Sequence, residues 1–552
     1  MKKVEKMLSK TKSRYISGKK KIALLLGFKK SNKIDKEKKM KAKKILTVAT
    51  ILFVAIITIP LYLGANNMVA ENISLTEQDT TDDYTNIQFD ISWDNSWRTS
   101  GGPSNWDAAW VFAKWKLSNG TTNWAHCTID TTDANHTAPT GSTIDAPNQG
   151  IKNGKPFTPG IFIYRSSNGS GSNDYNTVKL RWNYGADDVA GDATVNVKVF
   201  AVEMVYAPEA GFYLGDGISF ACFEGTDDNP VQITTEETIV RMDGTCPAAG
   251  DATLQSGVKV DGDGGICTTG TGAIDNADYP TGYKAFFCMK YEITQGQYAE
   301  FLNTLTPTQD ANRSIQDLGS YTTYGGTISG SQGNRTASAP DRACNCLSWM
   351  DACAYADWAG LRPMTELEYE KACRGTNDPV AGEFSWGNTT LICAVDQTSY
   401  LGDGTETALP PDANCCMWGA VHVHHPMRSG IFATASTTRT QSGAGYYGVM
   451  EMSGNVMDRT VTLGNSTGRG FTGVLGDGVL STNGYADATN WPGMSGGEVT
   501  GSEGSGKRGF GWDASASNIL TLTMSSRVMA QSPNPTTPRG FSDGFRCVRT
   551  MP

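Results

Sequence analysis

Residues 347–375 carry the signals for two consecutive helices in the stretch LSWMDACAYADWAGLRPMTELEYEKACRG. Small and aromatic residues recur at a spacing that places them on one face of a first helix: Ala352, Tyr355, Ala356 and Ala359. Gly360 follows, and glycine tolerates the positive φ at which many helices end. Thr365 and Glu368 are spaced as a capping box, which predicts a second helix over 366–373. Turns surround both helices, so the region is expected to be α+β.

Short runs before residue 203 alternate between apolar and polar side chains, which is typical of half-buried strands. The runs are Ile87-Phe89-Ile91-Trp93, Val111-Ala113-Trp115-Leu117, Val178-Leu180-Trp182 and Val195-Val197-Val199-Ala201. They predict an antiparallel β-sandwich over 85–202. Its seven tryptophans either form a stacking platform for sugar rings or fill the core, and their alternating positions favour the core: Trp93, Trp97, Trp106, Trp110, Trp115, Trp124 and Trp182.

The N-terminal segment 1–44 is strongly basic, with eighteen lysines and arginines against three carboxylates, a balance of +15. The uncharged run ILTVATILFVAIITIPLYL follows at 45–63 and is long enough to cross a bilayer as a helix. Positive charge before such a run stays in the cytoplasm. We therefore expect 45–70 to be a signal peptide or a transmembrane anchor. Either one exports the remaining chain to the cell surface, the periplasm or the extracellular space.

The rest of the chain is acidic, because a total charge of −9 leaves −24 after residue 44. Such an exterior lacks the clustered cations that phosphate backbones require, so nucleic acid is not an expected partner. The chain has 13 cysteines, and in an exported protein several of them are expected to form disulfides.

Several sequence blocks in a fixed order resemble those of the formylglycine-generating enzyme, or sulfatase-modifying factor, family. They are EMVYAPEAGFYLGD (203–216), FFCMKYEITQGQYAEFLN (286–303), the helical stretch 347–375, SWGN (385–388), YYGVMEMSGNVMDRT (446–460) and GFRCVR (544–549). In the second block Thr294 is placed to cap a further helix. The resemblance implies a variant of the C-type-lectin-like fold over 203–552, with an insertion at about 217–278.

The resemblance also implies a chemistry, because the family's enzyme oxidises a substrate cysteine to formylglycine with a pair of cysteines that bind copper(I). Thiolate sulfur selects this soft ion. The corresponding stretch here, 507–543, contains no cysteine. We therefore predict no catalytic residue, and copper is not an expected cofactor.

Calcium is the cofactor that the resemblance still supports. One calcium site of the family takes its ligands from the block at 446–460, and the matching positions here are Glu451, Gly454, Val456 and Asp458. Two carboxylates and two main-chain carbonyls are hard oxygen ligands of the kind that Ca²⁺ prefers. The alternative is that Glu451 and Asp458 are solvated acids near a turn.

Two other sets of residues are candidate sites. The resemblance implies a structural disulfide between Cys353 and Cys547. His422 and His424, in VHVHHP, would share one side of a strand close in sequence to a cysteine pair, which makes a transition-metal site conceivable. A surface loop is the simpler interpretation of the histidines.

The sequence therefore predicts an exported or surface-attached, non-catalytic protein whose domain acts in calcium-stabilised binding or assembly. Its expected partner is a protein or glycan at the cell surface, self-association is a further option, and the membrane is a partner if 45–70 is not cleaved. One alternative is a metal-dependent oxidase or oxygenase related to formylglycine-generating enzyme. Another is a structural subunit of a surface layer or filament.

Overall fold

The computed structural model describes most of the chain after residue 66. The described residues are 61–62, 67–219, 222–224, 229–236, 241–242, 259–260, 272–273, 276–395, 406–417, 424–514, 516–530 and 539–551. The basic segment 1–44, the hydrophobic run 45–63 apart from two residues, and much of the insertion 217–278 lie outside them. Within the described part, none of the helices has the length and apolar character needed to cross a membrane.

The first sheet is antiparallel and contains the longest strands of the chain. Its order is Leu61–Tyr62, Val69–Asp79, Tyr84–Arg98 and Gly169–Trp182. The side chains at alternate positions of the third strand point into a buried cluster: Ile87, Phe89, Ile91 and Trp93. This confirms the strand predicted from the period-two pattern.

The second sheet continues from the sandwich into the C-terminal region. Its order is Arg362–Pro363, Cys547–Thr550, Phe286–Met289, Val195–Ala207, Asp107–Leu117, Gly160–Arg165 and Ser142–Asp145, with Ala125–His126 added beside the fifth strand. The strand Val195–Ala207 links the two regions, because it pairs with Asp107–Leu117 on one side and with Phe286–Met289 on the other. The domain boundary expected at 202/203 therefore falls inside one strand.

The strand Asp107–Leu117 is covered on both faces. Ala109 and Val111 point towards the first sheet. Trp110 and Phe112 point the other way, into a core shared with the C-terminal helices. The indole Nε1 of Trp110 donates a hydrogen bond to the carbonyl of Ala359 at 2.8 Å. The strand Asp107–Leu117 thus buries a second face, which the alternation of apolar and polar residues did not predict.

The tryptophans of the sandwich divide into two groups. Trp93, Trp110, Trp115 and Trp182 are buried, which confirms core filling for these four. Trp106 is partly buried, stacks on Tyr206 with ring centroids 3.9 Å apart, and lies under the guanidinium of Arg98. These contacts occupy ring surface that a sugar platform would need.

The four longest helices among the described residues lie in the C-terminal region, which also contains a small third sheet. The helices are α1 (Gln295–Leu302), α2 (Pro307–Arg313), α3 (Trp349–Trp358) and α4 (Glu366–Arg374). The third sheet has the order Ser505–Arg508, Met457–Val461 and Asp543–Gly544. Each of the four helices begins at a capping box, which confirms the box predicted for Thr365 and the cap predicted for Thr294.

The remaining elements are short. The helical turns are Asp133–Asn135, Tyr184–Asp187, Thr322–Tyr324, Arg439–Ser442, Ser466–Arg469 and Ala516–Thr521. The short strands are Gly150–Lys152, Lys155–Phe157, Phe212–Leu214, Phe223–Glu224, Val231–Ile233, Arg241–Met242, Lys259–Val260, Gly272–Ala273, Ile328–Ser329, Thr336–Ala337, Met494–Ser495 and Glu498–Val499. Few helices among mixed sheets and many loops make this an α+β protein.

Candidate functional site

The turn that carries the predicted calcium ligands has an unusual backbone path. Glu451, Gly454 and Asn455 all have positive φ, at 51°, 91° and 61°. A Cβ on Gly454 would lie 2.5 Å from the sulfur of Cys415, so only glycine fits there. The amide of Asn455 locks the turn from inside, because its Oδ1 accepts a hydrogen bond from the backbone N–H of Met427 at 2.8 Å. The turn is therefore held rigidly before any ligand binds.

Both predicted carboxylates point into the protein. Glu451 and Asp458 are only 4% and 1% exposed, which contradicts the alternative that they are solvated acids. One oxygen of Glu451 accepts the N–H of Gly430 at 2.9 Å, and one oxygen of Asp458 accepts Nε of Arg546 at 2.8 Å. The other oxygen of each carboxylate is buried with no hydrogen-bond partner. A buried carboxylate oxygen without a partner is energetically unfavourable, so these two oxygens are available to bind a cation.

A third carboxylate, Glu292, completes this cluster. It accepts hydrogen bonds from the side-chain amide of Asn455 and from the backbone N–H of Val456, the latter at 3.0 Å. Glu292 lies in the block at 286–303, which was identified from its resemblance to the family. The spacing of residues in that block does not predict that Glu292 contacts the turn at 451–458. Glu292 and Met427 thus both hold Asn455, through the two ends of its side-chain amide.

The cluster has more negative than positive charge. Arg546 is fully buried and contacts Asp458 by its side chain and Glu451 through the main-chain carbonyl, at 3.3 Å. Burial raises the pKa of Glu451 to about 7, against the opposing effect of Arg546. Burial also raises the pKa values of Glu292 and Asp458. Arg546 lowers all three pKa values, and Arg428 and Lys290 also lower that of Glu451, but burial outweighs these cations.

The residues present therefore fit a calcium ion. Two unpartnered carboxylate oxygens and a rigid turn provide hard donors in a fixed arrangement, which is the ligand type Ca²⁺ takes. Gly454 and Val456, the other two predicted ligands, would contribute main-chain carbonyls from the same turn.

A second acidic cluster lies elsewhere and was missed from the sequence. Among the described residues, Asp357, Asp477 and Asp487 can bring one carboxylate oxygen each within 4.8 Å of the others. Asp357 is buried at the end of α3 and accepts the backbone N–H groups of Asp477 and Asp487 at 3.1 and 3.0 Å. These bonds fasten the loop 477–487 to the helix. The three residues are too far apart in sequence for spacing to bring them together.

The stretch 507–543, which the sequence resemblance compares with the family's copper-binding segment, is described at 507–514, 516–530 and 539–543. Trp512 and Ser525 are both buried. The hydroxyl of Ser525 accepts Nη2 of Arg374 at 2.7 Å. Arg508, which belongs to the third sheet, donates to Glu370 at 2.7 Å in the same network. A buried ionic network occupies this part of the fold.

The predicted disulfide is not formed in the structure. Cys353 and Cys547 are both buried free thiols. Both belong to the same buried cluster, and burial, then Asp357 and then the Cys547 sulfur raise the pKa of Cys353. Cys547 also sits beside Met289, whose sulfur accepts its backbone N–H at 3.2 Å. The pair thus fills core space as two small apolar side chains.

The histidine alternative is only partly covered by the structure. His422 lies outside the described residues, and His424 is exposed. Cys415 and Cys416, the nearby cysteines, are buried. The structure therefore describes one of the two histidines, on the surface, and leaves the pairing a prediction.

Comparison with known proteins gives the class. Residues 247–551, more than half of the chain, match the family model of the sulfatase-modifying factor enzyme 1-like domain. The chain therefore belongs to this family. It is also similar to a formylglycine-generating enzyme from Thermomonospora curvata, with 30% identity over 127 residues. That match covers 23% of this chain and 35% of the relative, so the chain spans about a third of the length of the curated relative it matches.

Proposed function

We propose that this chain is a non-catalytic member of the family, exported to the cell surface, whose domain is stabilised by calcium and acts in binding or assembly. The observation that carries the proposal is the absence of cysteine from 507–543 in a chain that keeps the family's helices, caps and turns. The export step rests on the hydrophobic run 45–63. The partner that best suits a surface location is a protein, a glycan or a second copy of the chain.

The loss of catalysis follows from the chemistry of the ligands. Copper(I) is a soft ion and needs thiolate or thioether sulfur. The buried network contains hydroxyl, carboxylate and guanidinium groups instead, for example those of Ser525, Glu370 and Arg374. Arginine and glutamate in these positions stabilise the fold and do not hold a redox metal.

Incubation of the purified protein with copper and a peptide containing the C-x-P-x-R motif should leave the peptide cysteine unchanged. Mass spectrometry of the peptide measures the result, with a known formylglycine-generating enzyme as positive control. Formation of the aldehyde would contradict the proposal and favour the oxidase alternative. Stoichiometric copper or iron in protein purified without added metal would also contradict the proposal and favour the oxidase alternative.

Calcium would be held by the turn at 451–458. Glu451 and Asp458 would donate their unpartnered oxygens, and Gly454 and Val456 their carbonyls. A divalent cation there would supply the positive charge that Arg546 alone does not, and would fasten the turn to the third sheet through Asp458. This calcium proposal is independent of the export proposal.

Added calcium should raise the melting temperature of the protein, and the substitution Glu451→Gln should remove most of that shift. Saturation at 100 times the dissociation constant corresponds to about 2.7 kcal/mol of stabilisation. Differential scanning calorimetry with calcium and with a chelator measures the shift. Asp477→Asn, in the second acidic cluster, is the matched control and should keep it. Loss of the shift in Asp477→Asn but not in Glu451→Gln would place calcium at the other cluster.

A further inference from the structure

Two cysteines in separate segments lie side by side. Cys393 and Cys415 are partners in an isolated parallel β-bridge. The backbone N–H of Ala394 donates to the carbonyl of Cys415 at 2.8 Å, and that of Asn414 donates to the carbonyl of Ile392 at 2.9 Å. Neighbouring strands lie about 4.8 Å apart. A disulfide requires Cα atoms about 4.4 to 6.8 Å apart, so the bridge provides a suitable separation.

The two thiols also share one apolar environment. Cys415 is part of a buried cluster with Phe384 and Trp386, and Cys393 packs against the same cluster. Cys416, the next residue, belongs to a different cluster with Met427 and Val456. Since successive residues of an extended segment point to opposite faces, Cys415 faces Cys393 and Cys416 faces away.

The pair differs in access to solvent. Cys415 is fully buried, whereas Cys393 is partly exposed. The sulfur of Cys415 is placed 3.4 Å from the carbonyl of Ser453, a weak S–H hydrogen bond. A small reagent can therefore reach Cys393 first, and Cys415 is positioned to react second.

We propose that Cys393 and Cys415 form a disulfide when the chain meets a low-molecular-weight disulfide such as oxidised glutathione. The Cys393 thiolate attacks one sulfur of the reagent, forms a mixed disulfide and releases one small thiolate. The Cys415 thiolate then attacks the Cys393 sulfur, forms the protein disulfide and displaces the second small thiolate. The two protons released by the cysteines pass to the small thiolates. Two protein thiols are oxidised, and one reagent disulfide is reduced to two thiols.

The bond would form directly beside the candidate calcium turn and would join two segments outside it. Gly454 lies directly against the Cys415 sulfur, since a Cβ there would approach it within 2.5 Å. The disulfide would covalently link residues 393 and 415. It would therefore restrict the motion of Cys415, the residue that Gly454 contacts. This proposal does not depend on calcium binding or on the absence of catalysis.

The test uses the full chain, reduced, then incubated with a buffer of oxidised and reduced glutathione, and finally alkylated. Unfolding and cleavage after Glu406 separates Cys393 from the two later cysteines. The expected result is a linked peptide pair in mass spectrometry and two fewer alkylated thiols than in the reduced chain. Cys416→Ser should keep the link, and Cys393→Ser should lose it.

Several outcomes would overturn the proposal. These are a link between Cys415 and Cys416, a link between Cys393 and Cys416, or full alkylation of Cys393 and Cys415 in the oxidised chain. Protection of both thiols in the reduced chain that a metal chelator removes would also overturn it, because the pair would then bind a metal. The wild-type peptide map decides the question even where a serine variant fails to fold.

Discussion

A fragment comprising residues 203–552 should not fold by itself, although it contains every block that resembles the family. The cut at 203 removes residues 195–202, which are most of the strand Val195–Ala207 and pair with Asp107–Leu117, and leaves only residues 204–207 to pair with Phe286–Met289. It also removes the strand Asp107–Leu117, whose Trp110 and Phe112 cover the C-terminal core. A core left open to water on one side loses the apolar burial that stabilises it.

The polar contacts between the two regions strengthen this expectation. Lys114 is buried and donates hydrogen bonds to the carbonyls of Trp358 and Gly478, at 2.7 and 2.6 Å. The side-chain amide of Asn105 donates to the carbonyl of Tyr447 at 2.7 Å. The fragment would leave these three carbonyls without partners. Residues 58–552 form one compact unit, so the strands before 203 are part of the same folding unit.

Expression of the fragments 58–552 and 203–552 in parallel measures the effect. The longer fragment should unfold cooperatively, whereas the shorter should bind a hydrophobic dye, lack near-ultraviolet circular dichroism and aggregate. In the longer fragment, Trp110→Ala should lower the free energy of unfolding by about 3–5 kcal/mol. Trp124→Ala, at a partly exposed site, is its control. A cooperative transition in 203–552 would show that the shared core is dispensable.

The same strand shows what the sequence can and cannot predict. The helices α3 and α4 were predictable because their signals are local: Thr365 and Glu368 reach each other within one turn. The strand at 107–117 reads DAAWVFAKWKL, so both of its faces are apolar at the centre. Alternation identified one face, but it gives no information about which distant element covers the other. The partner of Trp110 is Ala359, and no local rule links the two.

The residues of the candidate site also fall into those that the sequence predicted and those that it did not. Glu451 and Asp458 came from the resemblance, since one block holds both of them. Glu292 and Arg546 could not be assigned, because they reach the turn from segments far away in the sequence. The cluster at Asp357 depends on a loop that returns to the end of α3. Sequence spacing predicts partners within a turn or a strand pair, and the charge balance of a buried cluster depends on contacts beyond that range.

Replacement of Glu366 should destabilise the protein about as strongly as Trp110→Ala. Its carboxylate is fully buried and accepts two hydrogen bonds from Arg527, at 2.7 and 2.9 Å, and one from Arg508 at 3.1 Å. It also accepts the hydroxyl of Thr462 and the N–H of Leu463, at 2.6 and 3.0 Å. Glu366→Gln removes the charge and leaves a buried guanidinium without its counter-ion. Breaking a buried pair in this way costs about 3–5 kcal/mol.

The effect should depend on pH in a defined direction. Burial by itself raises the pKa of Glu366, but Arg527 and Arg508 outweigh it, so the pKa in the folded state lies below the ordinary value of 4.5. A lowered carboxyl pKa stabilises the folded state above the unfolded pKa, and this stabilisation is lost as the pH falls through the folded one. Denaturant unfolding at neutral and acidic pH measures the free energy of unfolding of wild type and of Glu366→Gln. The difference between these two free energies should become smaller below pH 4.5. Glu503→Gln, an exposed control, should change the free energy of unfolding by less than about 0.5 kcal/mol. Equal midpoints for wild type and Glu366→Gln at neutral pH would mean that the arginines find other partners in the core.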